Sequence, residues 1–154
     1  MKTQTKYFGE VEYSREDVLT FPAGLYGFEE ETEYLLLPFD GSALLYSLQS
    51  VKTPMLSFIL VHPFSLDPGY APVLQPEELK TLKVEQSEQL CYYALCALKK
   101  PSSESTVNMR CPVAVNPDTQ MAMQVILEDD RWQMRQRLAE FETQETPKGE
   151  VSPC

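Results

Sequence analysis

Three short apolar runs, at 34–37, 43–48 and 56–61, follow one another with turn chemistry between them. Asp40-Gly41 separates the first two, and Lys52-Thr53-Pro54 separates the second from the third. Brief apolar runs at about ten-residue spacing, each closed by Gly, Pro or Asp, specify antiparallel strands joined by tight loops. This pattern predicts a mostly β chain, a compact antiparallel β-barrel-like or sandwich domain with one or two short helices.

The rest of the chain fits that frame. In the stretch 6–13, Tyr7, Val11 and Tyr13 alternate with Glu10 and Glu12, the two-residue period of a half-buried strand. A second short strand is predicted at 17–21, ending at Pro22-Ala23-Gly24. Residues 63–69 read as a loop. Pro76 followed by Glu77 and Glu78 predicts a short helix over 76–82, because Pro suits the first helical turn and acids favour the helix N-terminus. The run 90–98 is apolar on both faces, so periodicity alone does not separate a central strand from a buried helix. Its nine residues and the Tyr92-Tyr93 pair favour a strand. The runs 112–115 and 121–127 flank Asn116-Pro117-Asp118-Thr119-Gln120 and predict a hairpin, with Met121, Met123, Val125 and Leu127 on one face and Gln124 opposite. Met134, Leu138 and Phe141 recur at helical spacing, so 131–142 is predicted as a helix. The expected organisation is one β domain over 1–142 and a flexible C-terminal tail over 143–154, rich in Thr, Glu, Pro and Gly.

Charge narrows the function classes. Thirteen Lys and Arg stand against 23 Asp and Glu, for a formal net charge of −10. The acids are spread: residues 1–60 carry 4 basic and 9 acidic groups, and residues 101–154 carry 5 and 9. No segment is strongly basic, which argues against direct nucleic-acid binding, since that mode needs clustered Lys and Arg to displace counterions. An acidic surface suits a basic protein partner. Residues 1–13 are polar and charged without an apolar signal core, and no apolar run reaches the ~18 residues of a membrane span. The expectation is a cytoplasmic chain, not bound to membrane, with reduced thiols.

Catalytic chemistry finds little support. His62 is the single histidine, and Cys91, Cys96, Cys111 and Cys154 form no Cys-x-x-Cys pair. Cys91 and Cys96, five apart, fall on opposite faces of a strand, which is wrong for a shared metal. No metal or cofactor is expected. A small-ligand-binding barrel, or a cysteine-dependent enzyme recruiting His62, is the alternative, but no cysteine neighbours a helix start that would activate its thiol. Phosphate-binding glycine patterns are absent, because Gly24 and Gly27 fit neither nucleotide fingerprint. Tyr26 and Phe28, in a glycine-flanked loop beside Glu29, Glu30 and Glu31, are of the residue types that dominate protein-binding hot spots.

At that loop a resemblance enters. Thr20-Phe21-Pro22-Ala23-Gly24-Leu25-Tyr26-Gly27-Phe28-Glu29 is similar to the Phe-Pro-x-Gly and Pro-Gly-Phe signature of the FliW family of flagellar assembly factors, with Tyr7-Phe8-Gly9-Glu10 at the expected distance before it. Leu48-Gln49-Ser50, Val61-His62-Pro63-Phe64 with Tyr70, and Asn108-Met109-Arg110-Cys111-Pro112-Val113-Ala114-Val115-Asn116 resemble further family segments in the same order, closed by Gln124-Val125-Ile126-Leu127. Tyr26, Met109 and His62 depart from the family's usual Pro, Leu and Asp. The resemblance implies a β-barrel-like fold without enzymatic activity and two protein partners. One is the carbon storage regulator CsrA, an RNA-binding repressor of flagellin translation, and the other is flagellin, which competes for the factor. On this reading the partner-binding candidates are Tyr26, Phe28, Glu29, Glu30 and Glu31 in the loop, with Leu48, Gln49 and Ser50. Asn108, Asn116 and Gln124 instead suit backbone-tethering roles in turns.

Overall fold

The computed structural model describes residues 1–39 and 44–141. The turn expected at Asp40-Gly41, Ala43 and the tail expected over 143–154 lie outside the described residues. The chain opens with β1 (Lys2–Thr5) and β2 (Gly9–Glu12), a separate two-stranded antiparallel hairpin. The single strand expected over 6–13 is therefore interrupted. Lys6, Tyr7 and Phe8 form the hairpin turn, which Gly9 leaves at φ 64°, and the Thr5 hydroxyl accepts the Phe8 N–H at 2.9 Å.

The main sheet comprises β3 (Val18–Thr20), β4 (Glu33–Pro38), β5 (Leu45–Ser50), β6 (Ser57–Val61), then, after α1 (Pro63–Leu66) and α2 (Pro76–Thr81), β7 (Cys91–Ala97), β8 (Thr106–Val115), β9 (Ala122–Gln124) and β10 (Gln136–Arg137). Strands β3 to β8 pair sequentially and antiparallel; β9 and β10 share the far edge of β8. An isolated bridge between Thr20 and Met121, with the Thr20 N–H donating to Gln120 O at 2.9 Å, brings β3 back to the β8–β9 hairpin. The sheet is thus a nearly closed antiparallel barrel with two short helices, as the spacing of apolar runs predicts.

Alternation along the strands sorts side chains into two cores. Leu19, Tyr34, Leu48, Leu60, Tyr93, Val113 and Val115 fill the barrel, with Phe21 and Leu25 from the loop after β3. Val61, Tyr92, Ala94, Val107, Met109 and Ala114 point outward, under Leu74, Leu82 and Leu90 from the segment after β6 and Val125, Leu127 and Trp132 from the C-terminal segment. Strand β7 is apolar on both faces because each face meets one of these cores, which settles the ambiguity of that run in favour of a strand. Cys91 and Cys96 do fall on its opposite faces.

Two further expectations change. The loop at 63–69 contains the single turn α1, started by Pro63, whose carbonyl accepts the Asp67 N–H at 3.0 Å. The helix expected over 131–142 does not form. Trp132 is buried against Tyr70 at 4.8 Å, Gln133 O accepts the Met109 N–H at 3.1 Å, β10 pairs with Thr106 and Val107, and only Leu138–Glu140 makes a 3-10 turn. The unpaired edge of β8 competes for these backbone groups, and satisfying a buried edge outweighs a weak local helix preference.

Candidate functional site

The loop between β3 and β4 is held from within. Its Gly24 sits at φ 66°, and a Cβ there would lie 2.5 Å from Phe28 O and 2.6 Å from Glu29 Cα, so only glycine lets the loop fold back on itself. Gly24 N–H donates to Phe21 O, Phe28 N–H to Leu25 O and Glu31 N–H to Phe28 O, three consecutive tight turns. Buried Leu25 anchors the loop in the barrel core. This leaves Tyr26 58% and Phe28 41% exposed, with Glu29 and Glu30 exposed beside them. Phe28 stacks edge-on with Phe58 at 5.1 Å. The Tyr26 N–H donates to Gln124 Oε1 at 3.2 Å, and Gln124 Nε2 donates to Cys111 O at 3.1 Å, so β9 and β8 fix the loop from the side. Partial burial first, then Cys111 and Glu78, hold the Tyr26 phenol above its ordinary pKa.

The eight candidates separate by position. Leu48 and Gln49 are fully buried. Gln49 Nε2 faces the carbonyls of Pro54 at 2.9 Å, Ser50 at 3.1 Å, Leu56 at 3.2 Å and Thr53 at 3.4 Å, while its Oε1 accepts the Lys6 N–H at 2.9 Å. It ties the β5–β6 turn to the N-terminal hairpin, which Thr3 Oγ1 also joins through Val51 O at 2.9 Å. Ser50 Oγ accepts the Thr53 N–H at 2.9 Å and donates a short hydrogen bond to Glu31 Oε1; Glu31 Oε2 accepts from Thr53 Oγ1 at 2.8 Å. The Ser50 hydrogen bond, followed by those from Thr53 and the Lys52 charge, keeps the Glu31 carboxyl below the usual range despite its desolvation. Glu31 therefore fastens the acidic loop to the β5–β6 turn. Tyr26, Phe28, Glu29 and Glu30 form the outward-facing group, and Leu48, Gln49, Ser50 and Glu31 support it.

Phe58 also lines a shallow groove of 330 Å³ beside the loop, with Leu95, Asn108 and Met134. In the sequence Phe58 sits among ordinary apolar neighbours, and Met134 stands out only by its helical spacing with Leu138 and Phe141. Asn108 Oδ1 accepts the Cys111 N–H at 2.9 Å, and buried Asn116 donates to Leu82 O at 2.7 Å, so both amides tether backbone.

Cysteine chemistry is poorly served. Cys96 and Cys111 are free thiols, whereas Cys91 is disulfide-bonded, departing from the reduced state expected of it. Burial pushes the Cys96 thiol up to about 11 and raises Cys111 as well, opposite to what an activated nucleophile requires. Burial lowers the His62 pKa, and its ring faces the Ser65 hydroxyl at 3.4 Å and Phe64. Among the described residues, no group of three or more His, Cys, Asp or Glu could hold a metal ion, and no helix is long and apolar enough to cross a membrane.

Comparison with known proteins places this architecture. The chain is 36% identical over 135 residues to a flagellar assembly factor FliW of Shouchella clausii, covering 88% of this chain and 92% of that one. It is 37% identical over 124 residues to that of Symbiobacterium thermophilum, covering 80% and 90%. A solved structure described as the crystal structure of the flagellar assembly factor FliW superposes with a TM-score of 0.83 at 32% identity, covering 90% of this chain and 96% of that one. Residues 2–138 match the family described as FliW protein, and with the shared barrel and ordered loop motifs this chain belongs to that family.

Proposed function

We propose that this chain is a cytoplasmic, non-enzymatic flagellar assembly factor that binds CsrA and relieves its repression of flagellin translation. Flagellin acts as the competing partner, held as by a chaperone, so that the supply of unexported flagellin sets how much factor is left for CsrA. The observation that carries this reading is membership of the FliW family over residues 2–138. Physical chemistry is consistent with it. A protein of net charge −10 attracts a basic RNA-binding protein and does not itself follow phosphates. The rigid loop that presents Tyr26, Phe28, Glu29 and Glu30 offers two aromatic anchors with acids beside them, at low ordering cost. Glu31, Leu48, Gln49 and Ser50 contribute by holding that loop in place. No cofactor enters this activity, and neither nucleic acid nor membrane is a partner.

Calorimetric titration of the purified chain against CsrA and against flagellin tests the proposal. Saturable binding of each, with flagellin displacing CsrA, is expected. Absence of a complex with both at tens of micromolar would end it.

A further inference from the structure

The barrel is not closed along its whole seam. Strand β3 meets the β8–β9 hairpin through the Thr20–Met121 bridge. Beside that bridge the two edges part around a cavity of 360 Å³, within the size range of ligand pockets. Its floor is apolar and reaches the barrel core at Leu19, Tyr93 and Val115. Its rim carries Glu12, Glu16 and Asp17, and among the described residues no lysine or arginine lines it. Arg15, the basic residue of the same turn, is engaged by Glu33 at 2.7 Å. Asp17 accepts the Ser14 N–H at 2.9 Å, whereas the Glu12 and Glu16 carboxylates have no ion pair or hydrogen bond among the described residues.

We propose that this seam cavity is a socket for a long cationic side chain, arginine or lysine, presented by a basic protein partner. Such a side chain is divided in the same way as the cavity: an aliphatic stem that gains by leaving water, and a charged head that must stay near water or a carboxylate. A neutral apolar side chain would use the floor and leave the acids without a counter-charge. A bare cation would use the rim and leave the floor unfilled. An anionic group is repelled by the three carboxylates. Protein origin rests on the proposed function, in which the partner is a basic protein. The cavity lies between β3 and the turn that joins β8 to β9, and none of the residues lining it belongs to the Tyr26, Phe28, Glu29 and Glu30 group. It would therefore supply a second contact and not extend the first.

The test uses the full chain labelled with nitrogen-15, titrated with N-acetyl-arginine N-methylamide and with the citrulline analogue, which keeps shape and loses charge. The arginine probe should shift the amides of Leu19, Tyr93 and Gln120 saturably at low-millimolar concentration, with the citrulline probe at least fivefold weaker. The exposed double variant E12Q/E16Q, with an unchanged melting temperature, should weaken the arginine probe at least threefold. Equal binding of both probes, shifts confined to other surfaces, or an unaffected E12Q/E16Q variant would overturn the socket. Spermidine binding there more than tenfold tighter than the arginine probe would overturn its assignment to a protein side chain. None of these probes contains CsrA or flagellin, so failure of the socket leaves the calorimetric test of the function intact, and the reverse also holds.

Discussion

Replacing Gln49 by methionine separates a structural from a recognition role. The substitution keeps volume and removes the amide. Gln49 is fully buried, and its two amide hydrogens serve the closest carbonyls, Pro54 O at 2.9 Å and Ser50 O at 3.1 Å, while Oε1 holds the Lys6 N–H at 2.9 Å. Three backbone groups therefore lose their partner. A buried polar group without one costs about 1–3 kcal/mol. The Lys6 and Pro54 contacts are only partly buried and water replaces some of that loss, so we expect a total of about 2–4 kcal/mol. Against a whole-domain stability of about 5–15 kcal/mol this is large. With a urea m-value of about 2 kcal/mol/M, the midpoint should fall by about 1–2 M. Fluorescence of Trp132, buried at the outer core, reports the transition. Below the transition, calorimetric affinity for CsrA and flagellin should stay within about twofold of the parent, since no surface group has changed. A variant of unchanged midpoint that no longer binds either partner would refute the reasoning and make Gln49 a contact residue.

Three further outcomes follow from the same geometry. Gly24→Ala should destabilise by about 2–4 kcal/mol, combining the left-handed backbone penalty with the clash at Phe28 O, and equilibrium denaturation within 0.5 kcal/mol of the parent would contradict the tight loop. The double variant Tyr26→Ala/Phe28→Ala should leave the melting temperature nearly unchanged and weaken partner binding by about 30-fold, the minimum for a hot spot of about 2 kcal/mol; retained affinity would remove the loop from the interface. Glu31 has its carboxyl pKa depressed in the folded state, chiefly by Ser50, so its stabilisation is present above the ordinary carboxylate value and is lost as pH falls through the lower folded one. Glu31→Gln should therefore flatten the dependence of the urea midpoint on pH between about 5 and 3, and parallel curves for the two proteins would show that the Ser50 contact does not matter.

How much of this was legible beforehand depended on the range of the forces involved. The apolar runs at 34–37 and 56–61 and the Gly-Pro turns between runs are local signals, and they set the strands and the antiparallel barrel-like class. Gly24 marked a special turn, and the aromatic-acidic composition of 26–31 marked a presented loop. The helix expected over 131–142 failed because its residues found partners about thirty positions earlier on β8, a competition no local period reports. The single strand expected over 6–13 failed because Gly9 closes a hairpin onto Lys2–Thr5.

Local signals set the class of structure, the acidic character of the surface and the ordered motifs that point to the family. What each motif does depends on contacts made in three dimensions. Leu48-Gln49-Ser50 lies inside the fold, holding turns together, while Tyr26 and Phe28 of another motif stand at the surface. Burial depends on which strands close over a residue, and a polar side chain has the same letter whether it serves water or backbone carbonyls. The open seam beside Thr20 likewise exists because β3 meets the β8–β9 hairpin at a single bridge, a property of the closed sheet and of no single segment.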